Sequence, residues 1–309
     1  MEFSKNILIA YNPNSGKGRG LYHARQLEKA LLKRGANVGL VLGTPSVQSV
    51  YDFCRDRGRE FTLLVIIGGD GTLSHWVDAA IKSGLDIPIY AFGRGTANDF
   101  STYFKTNKSP RKVAKIIMTR SKVREVDVLE VGEDTYAINV ACGGAFTNGV
   151  TTYSKLGKRI FGKLAYIWGS MKVIATMRAQ EMLFNVDGVE IPTNVYFFLI
   201  LNTTNAGSIK KISPLALPND GYLNLVAMKK SGLFKRLGVG LSIVFGRAHK
   251  NKNMLHAKGK QITATIVGEP NLNFTLADID GNVGGEYPVR TNVSSKKAKI
   301  VVPYLKCQQ

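Results

Sequence analysis

Three short segments carry the residue types that bind phosphate: Asn12-Pro13-Asn14-Ser15-Gly16-Lys17-Gly18, Gly68-Gly69-Asp70-Gly71-Thr72 and Gly93-Arg94-Gly95-Thr96-Ala97-Asn98-Asp99. Glycines let backbone amides approach phosphate oxygens, and a helix starting just after such a loop adds donors and a favourable dipole. One loop of this kind could be a tight strand-to-helix turn; three in succession point to a phosphate-binding edge. None has the spacing of the P-loop or of the dinucleotide fingerprint, so the residues alone do not name the nucleotide. Two later Asp-Gly pairs, Asp220-Gly221 and Asp280-Gly281, offer carboxylates, although Asp-Gly also favours turns. Cys54, Cys142 and Cys307 are scattered and odd in number, and His23, His75, His249 and His256 form no metal pattern. Neither a disulfide framework nor a structural zinc is expected.

The elements that must position these loops alternate in the first third of the chain. Residues 6–10, 38–42, 61–67 and 87–92 read as strands. Residues 23–35, 45–56 and 73–83 read as helices, the first stopping on Lys33, Arg34 and Gly35. Strand–helix alternation implies right-handed crossovers and an open parallel sheet covered on both faces. Ligands of such sheets bind at the carboxyl ends of the strands, where the three loops fall. After about residue 123 the pattern changes to strands at 126–131, 136–140, 183–186, 189–191, 195–201, 222–228, 261–267 and 299–302. Asp187-Gly188 between two of them is a type I′ hairpin signal. The expected fold class is an open α/β domain followed by an antiparallel all-β domain.

Composition narrows the class. The 309 residues hold 42 Lys and Arg against 22 Asp and Glu, a net charge of +20, with 44% hydrophobic residues. These are globular proportions with a strong preference for polyanions. No apolar run is long enough to span a bilayer, and the N-terminus lacks a signal-peptide pattern. The expected location is cytoplasmic, peripherally associated with the inner face of the membrane. No acidic residue occurs between Thr135 and Gln180, where Lys155, Lys158, Arg159, Lys163, Lys172 and Arg178 gather with Leu156, Ile160, Leu164, Trp168 and Met171. A second acid-free stretch, residues 229–260, holds Lys229, Lys230, Lys235, Arg236, Arg247, Lys250, Lys252, Lys258 and Lys260 with Leu233, Phe234, Leu237, Leu241, Val244 and Phe245. Basic amphipathic helices suit an anionic membrane surface; equally, the apolar stripes could pack on the β-domain.

The order NPNSGKG, GGDGT, GTAND resembles the diacylglycerol kinase catalytic-domain family, which includes bacterial diacylglycerol and related lipid kinases and is related to sphingosine kinases. GGDGT alone is shared in some form by NAD kinases and phosphofructokinases. KRIFGKLAY (residues 158–166), LPNDGYLNL (217–225) and the late Asp280-Gly281 narrow the match, which spans nearly the whole chain. The resemblance implies a Rossmann-like, NAD kinase/phosphofructokinase-like nucleotide domain over 1–124, rejoined by a returning segment at about 292–309. It implies a C-terminal antiparallel β-sandwich for the lipid over 125–291, and an active site in the cleft between the two. ATP would contact Asn12, Pro13, Asn14, Ser15, Gly16, Thr44, Gly68, Gly69, Asp70, Gly71, Thr72, Leu73, Ser74 and Thr96, with Asp70 near the phosphates and their Mg2+. Asp220, with carbonyls of Leu217 and Tyr222, would hold a structural Mg2+. Asp280 would be the general base of an ATP-dependent lipid kinase, most simply one converting diacylglycerol to phosphatidic acid.

The chain departs from that family in several places. Asn282 stands where a glutamate that ties Asp220 into the metal network is usual; Glu286 could replace it only if its loop folds back. Gly93-Arg94-Gly95 replaces a common proline, and His75, given no role, replaces a common glutamate. Phe146, Phe161, Tyr166, Trp168 and Phe198 are the candidates for contact with the lipid, or else core. Other lipid alcohols, such as a sphingoid base or phosphatidylglycerol, an NAD kinase-like soluble kinase, and a catalytically impaired nucleotide-responsive binding protein stay open as alternatives. The expected partners are ATP, a lipid and an anionic membrane surface, with a homodimer left open. Nucleic acid is not expected, because no helix-turn-helix, RRM or zinc-finger pattern occurs.

Overall fold

The computed structural model describes residues 6–44, 46–145 and 176–304. The chain divides into two compact units, Met1–Val128 with Ser295–Gln309, and Leu129–Ser294.

In the first unit β1 (Ile7–Tyr11), β2 (Val38–Gly43), β3 (Leu63–Gly68) and β4 (Ile89–Gly93) form a parallel sheet. The order is β2-β1-β3-β4, and the late strand β15 (Val289–Pro303) lies beside β4 with Ile300 opposite Ile89. Every residue of β3 and β4 is buried, which is why they are continuous apolar runs rather than alternating ones.

After the single turn α1 (Ser15–Gly18), helix α2 (Gly20–Leu32) packs Ala24, Leu27, Ala30 and Leu31 onto Ile7, Ile9, Leu63 and Val65. Helices α3 (Val47–Arg57) and α4 (Asp70–Lys82) pack together, with Phe53 edge-on to the buried Trp76 at 5.9 Å. The Ser46 hydroxyl caps α3 by accepting the Ser49 amide. Helix α4 starts at Asp70, three residues before the expected start, so the GGDGT segment is itself the helix N-terminus. Short α5 (Asp99–Tyr103) follows the third loop. Helix α6 (Pro110–Thr119) was not expected from the sequence; it opens on proline at its first turn and buries Val113, Ala114 and Ile117 beside α2.

The second unit is antiparallel. Its strands are the end of β5 (Ser121–Val131), then β6 (Thr135–Ala137), β7 (Val140–Gly144), β8 (Gln180–Val186), β9 (Val189–Leu201) and β10 (Leu223–Lys229). Helix α7 (Leu233–Val244) precedes β11 (Met254–Gly259), β12 (Gln261–Ile266), β13 (Ala277–Ile279), β14 (Asn282–Gly285) and the start of β15. The order is β14-β13-β7-β9-β8-β12-β15, with β10 joining β9 to β11. Its cores are built from Phe184, Phe198, Leu225 and Phe274, and from Phe197, Leu199, Val226 and Met228.

Asp187 and Gly188 both have positive φ, 50° and 90°, and Val186 faces Val189 across them, the two-residue type I′ turn. Three expectations are corrected. Residues 189–191 and 195–201 are one 13-residue strand. Its Pro192 lies where β8 pairs but β10 does not, so a missing amide donor costs no ladder bond on the open side. Residues 136–140 are not one strand but break between β6 and β7. The basic stretch 229–260 is helical over α7 and a single 3₁₀ turn at Ala248–Lys250, and it then continues into β11.

Candidate functional site

The three loops of the first unit are tied to one another. Asn12 leaves β1 with its amide on the Ile67 carbonyl at 3.0 Å, and its side chain then organises the loop. Its Oδ1 accepts the Asn14 amide at 2.9 Å and its Nδ2 donates to Thr72 Oγ1 at 3.2 Å. Ser15 Oγ donates to the Asn12 carbonyl at 2.8 Å. Thr44, ending β2, is buried and donates to the Tyr11 carbonyl through both N and Oγ1.

The second and third loops touch through backbone. The Gly68 carbonyl accepts the Arg94 amide at 2.6 Å and the Gly95 amide at 3.2 Å. Gly95 crosses Gly69 so closely that a Cβ on Gly95 would lie 2.4 Å from the Gly69 Cα. Asn98, in the left-handed region at φ 55°, closes its own loop: Gly95 N donates to Oδ1 at 2.7 Å and Nδ2 donates to the Gly95 carbonyl at 2.8 Å.

Asp70 sits at the first position of α4 and at the N-terminus of α5. Its carboxylate accepts the Asp99 amide at 3.0 Å and the Phe100 amide at 3.1 Å. Burial pushes its carboxyl above the ordinary range, and these amides oppose that shift. Leu73 and Ser74 are buried below, while Thr96 is exposed on the third loop. Asn12, Thr72, Gly68, Gly69, Asp70 and Gly95 are thus brought to one edge. The role of Asp99, Phe100 and Asn98 was missed in the sequence, although GTAND contains two of them.

Arg94, standing where a proline is common, is folded down. Its guanidinium lies 4.0 Å from the Phe92 ring centroid and donates to the Gly93 carbonyl at 2.8 Å, the Lys108 carbonyl at 2.7 Å and Asn107 Oδ1. Burial, then Arg94, then Arg19 lower the pKa of His23. His75 is half-buried on α4.

In the second unit Asp280 is almost wholly buried, at 1% exposure. Its carboxylate collects three consecutive amides: Ile138 at 2.7 Å, Asn139 at 3.1 Å and Val140 at 2.7 Å. Turning those amides toward one oxygen pair is what breaks the chain between β6 and β7. A nest of successive amides holds a carboxylate in one orientation. Around it, Thr203 Oγ1 donates to Asn139 Oδ1, Asn139 Nδ2 to the Asn205 carbonyl at 3.2 Å, and Asn202 Nδ2 to the Ile138 carbonyl at 2.9 Å. Neighbouring Asp278, raised in pKa by burial, accepts the Gly281 amide at 2.7 Å. The nest has no sequence signature, since its parts are separated by 140 residues or more.

Asp220 lies in the turn before β10. Its Oδ1 accepts the Tyr222 amide at 3.1 Å and its Oδ2 accepts Lys258 Nζ at 2.8 Å. Among the described residues no three of His, Cys, Asp and Glu cluster as metal ligands. Asn282 Nδ2 donates to the Ile279 carbonyl at 3.3 Å, within its own turn. One carboxylate already bonded to an ammonium does not fit the magnesium expected at Leu217, Asp220 and Tyr222. Phe198 is core, edge-on to Phe184 at 5.5 Å; Phe146, Phe161, Tyr166 and Trp168, with the KRIFGKLAY segment, lie outside the described residues.

A parallel α/β unit with Gly-rich loops at its carboxyl edge, followed by an antiparallel β unit, defines a kinase-type fold. Residues 6–131 match the diacylglycerol kinase catalytic domain, and residues 138–302 match the YegS C-terminal NAD kinase beta sandwich-like domain. The chain belongs to this diacylglycerol kinase family, a family of lipid kinases. It is 26% identical to a diacylglycerol kinase of Bacillus subtilis (strain 168) over 99% of each chain. Among solved structures it resembles a diacylglycerol kinase from Bacillus anthracis str. Sterne, with a TM-score of 0.76 at 20% identity over 98% of each chain. It also shares its fold with an NAD kinase from Archaeoglobus fulgidus in complex with ATP, with a TM-score of 0.55 at 14% identity, covering 96% of this chain and 92% of that one.

Proposed function

We propose that this chain transfers the γ-phosphate of MgATP to a lipid hydroxyl, with diacylglycerol as the first substrate to test and phosphatidic acid as the product. The observation that carries the reading is the linked loop edge of the first unit, in a chain whose two halves match the two domains of this kinase family. Phosphoryl transfer asks a protein mainly for positioning and charge neutralisation. In this reading ATP lies on Asn12, Pro13, Asn14, Ser15, Gly16, Thr44, Gly68, Gly69, Asp70, Gly71, Thr72, Leu73, Ser74 and Thr96. Helix α4 turns its first amides toward the phosphates. Asp70 keeps the second and third loops in register through the start of α5.

Asp280 is the general base: it takes the proton as the lipid oxygen forms its bond to the γ-phosphorus and ADP leaves. The amides of Ile138, Asn139 and Val140 support this role because they fix the carboxylate in one orientation. Docking on the inner face of an anionic membrane fits α7. One side of this helix packs Leu237, Val239 and Ile243 on the core, while Phe234 at 89% exposure and Phe245 at 72% stand out among basic residues. No helix among the described residues is long and apolar enough to cross a membrane.

The test is labelled phosphate transfer from MgATP to a panel of lipids in mixed micelles, beside Asp280→Asn. Diacylglycerol should be labelled well above the variant's level. If no lipid is labelled above that level, the kinase reading falls; if only another lipid alcohol is, the substrate assignment falls.

A further inference from the structure

The turn before β10 is a place where the residues present do not fit what the family resemblance implies. Asp220 is followed by Gly221 at φ 72° and then Tyr222, whose amide returns to Asp220 Oδ1. On the neighbouring strand β11, Lys258 stands opposite Asn224 of β10. That register delivers its ammonium to Asp220 Oδ2 at 2.8 Å and 4.6 Å from the Tyr222 ring centroid. Lys260 places a second ammonium 5.7 Å from the same ring. The Asp220 side chain is only 20% exposed, so its charge is partly removed from water and needs a counter-charge.

Magnesium demands near-octahedral oxygen coordination and an anionic site. Here the anionic side is one carboxylate, no second and third acidic or His/Cys group joins it among the described residues, and the ammonium already occupies it. The charges balance without a metal: one carboxylate against one ammonium, where two carboxylates would need a divalent cation. We infer that Lys258 stands in for the structural cation at Asp220, so that the second unit holds this turn without magnesium. This inference concerns the fold of the second unit and does not rest on the kinase reading.

The experiment uses the full chain without nucleotide. Thermal unfolding is followed with EDTA and with excess Mg2+, and Mn2+ alone is titrated by electron paramagnetic resonance. The wild type should unfold at the same temperature in both conditions and leave Mn2+ free. Lys258→Met should unfold at a lower temperature in EDTA and recover part of the loss with Mg2+ or Mn2+. Lys258→Met should bind Mn2+ about tenfold or more tighter than the wild type, because no ammonium then occupies the carboxylate. Stoichiometric Mn2+ binding by the wild type that Asp220→Asn abolishes would overturn the inference. So would a Lys258→Met protein that unfolds like the wild type with or without metal.

Discussion

Asp280 and Val140 hold each other through two hydrogen bonds: the Val140 amide donates to the Asp280 carboxylate at 2.7 Å, and the Asp280 amide donates to the Val140 carbonyl at 2.9 Å. The reciprocal pair anchors the Asp-Gly turn at the start of β14 to the start of β7. It makes the proposed base part of the fold as well as of the chemistry, and the two roles can be separated.

Asp280→Asn keeps the shape but sets an amide nitrogen against backbone N–H donors. The loss of charge-assisted bonds in a buried site should cost on the order of 2 kcal/mol or more in urea unfolding. A general base also predicts a fall of roughly 10²–10⁴-fold in kcat, measured well below the variant's own unfolding temperature. A variant that loses stability yet keeps kcat would mark Asp280 as a structural residue only.

Gly95→Ala tests the crossing of the second and third loops. Its Cβ would lie 2.4 Å from the Gly69 Cα, so backbone has to move. Overpacking of this kind costs about 1–3 kcal/mol, and displacement of the loop edge should raise the KM for ATP more than that for the lipid. Unchanged stability and unchanged KM would show that the loops do not need this contact.

His23 supplies a pH dependence of stability. Its folded-state pKa is lowered from the ordinary 6.5 by burial, then by Arg94 and Arg19. Below pH 6.5 the unfolded chain therefore takes up a proton that the folded chain does not, and stability is lost as pH falls from there toward the folded value. His23→Gln should flatten this part of the curve in unfolding experiments between neutral pH and pH 5. A slope will remain from His256, whose pKa burial also lowers. A variant with the same slope as the wild type would remove His23 from the account.

Membrane docking predicts sedimentation with anionic vesicles and not with neutral ones, weakening as salt rises, since each Lys or Arg near such a surface contributes about 1 kcal/mol. Phe234→Ser and Phe245→Ser should each release protein from the anionic vesicles, because both rings are exposed on or beside α7. Equal binding to neutral and anionic vesicles would defeat the electrostatic part of the proposal.

Much of the first unit was legible because β1, β3 and β4 are buried on both faces and read as continuous apolar runs, each followed by a glycine-rich loop. Helix α6 was hidden because Val113, Ala114 and Ile117 are spaced among basic residues and preceded by a proline that reads as punctuation. Strand β11 was lost inside a lysine-rich tract for a related reason: Lys258 and Lys260 look like surface charge until the β10–β11 register puts Lys258 on Asp220. The break at Ile138 and Asn139 could not be read at all, since its cause is a carboxylate some 140 residues away. Local apolar pattern carries strands and helices; it does not carry partnerships between distant polar groups.

Strand β15 brings a consequence for how the protein is made. Its residues Ile300 and Val301 are fully buried in the first unit, Ile300 beside Ile89, and its Lys297 and Lys299 pair with Asp127 and Asp86. On a ribosome the first unit therefore stays incomplete after Val128 until residues near 303 have been translated, on the order of ten seconds or more later at ordinary elongation rates. During that interval β4 offers an open edge of a sheet. A ribosome stalled or a message truncated before residue 289 would release a chain whose first half lacks its closing strand, and such chains are the ones expected to aggregate or to engage chaperones.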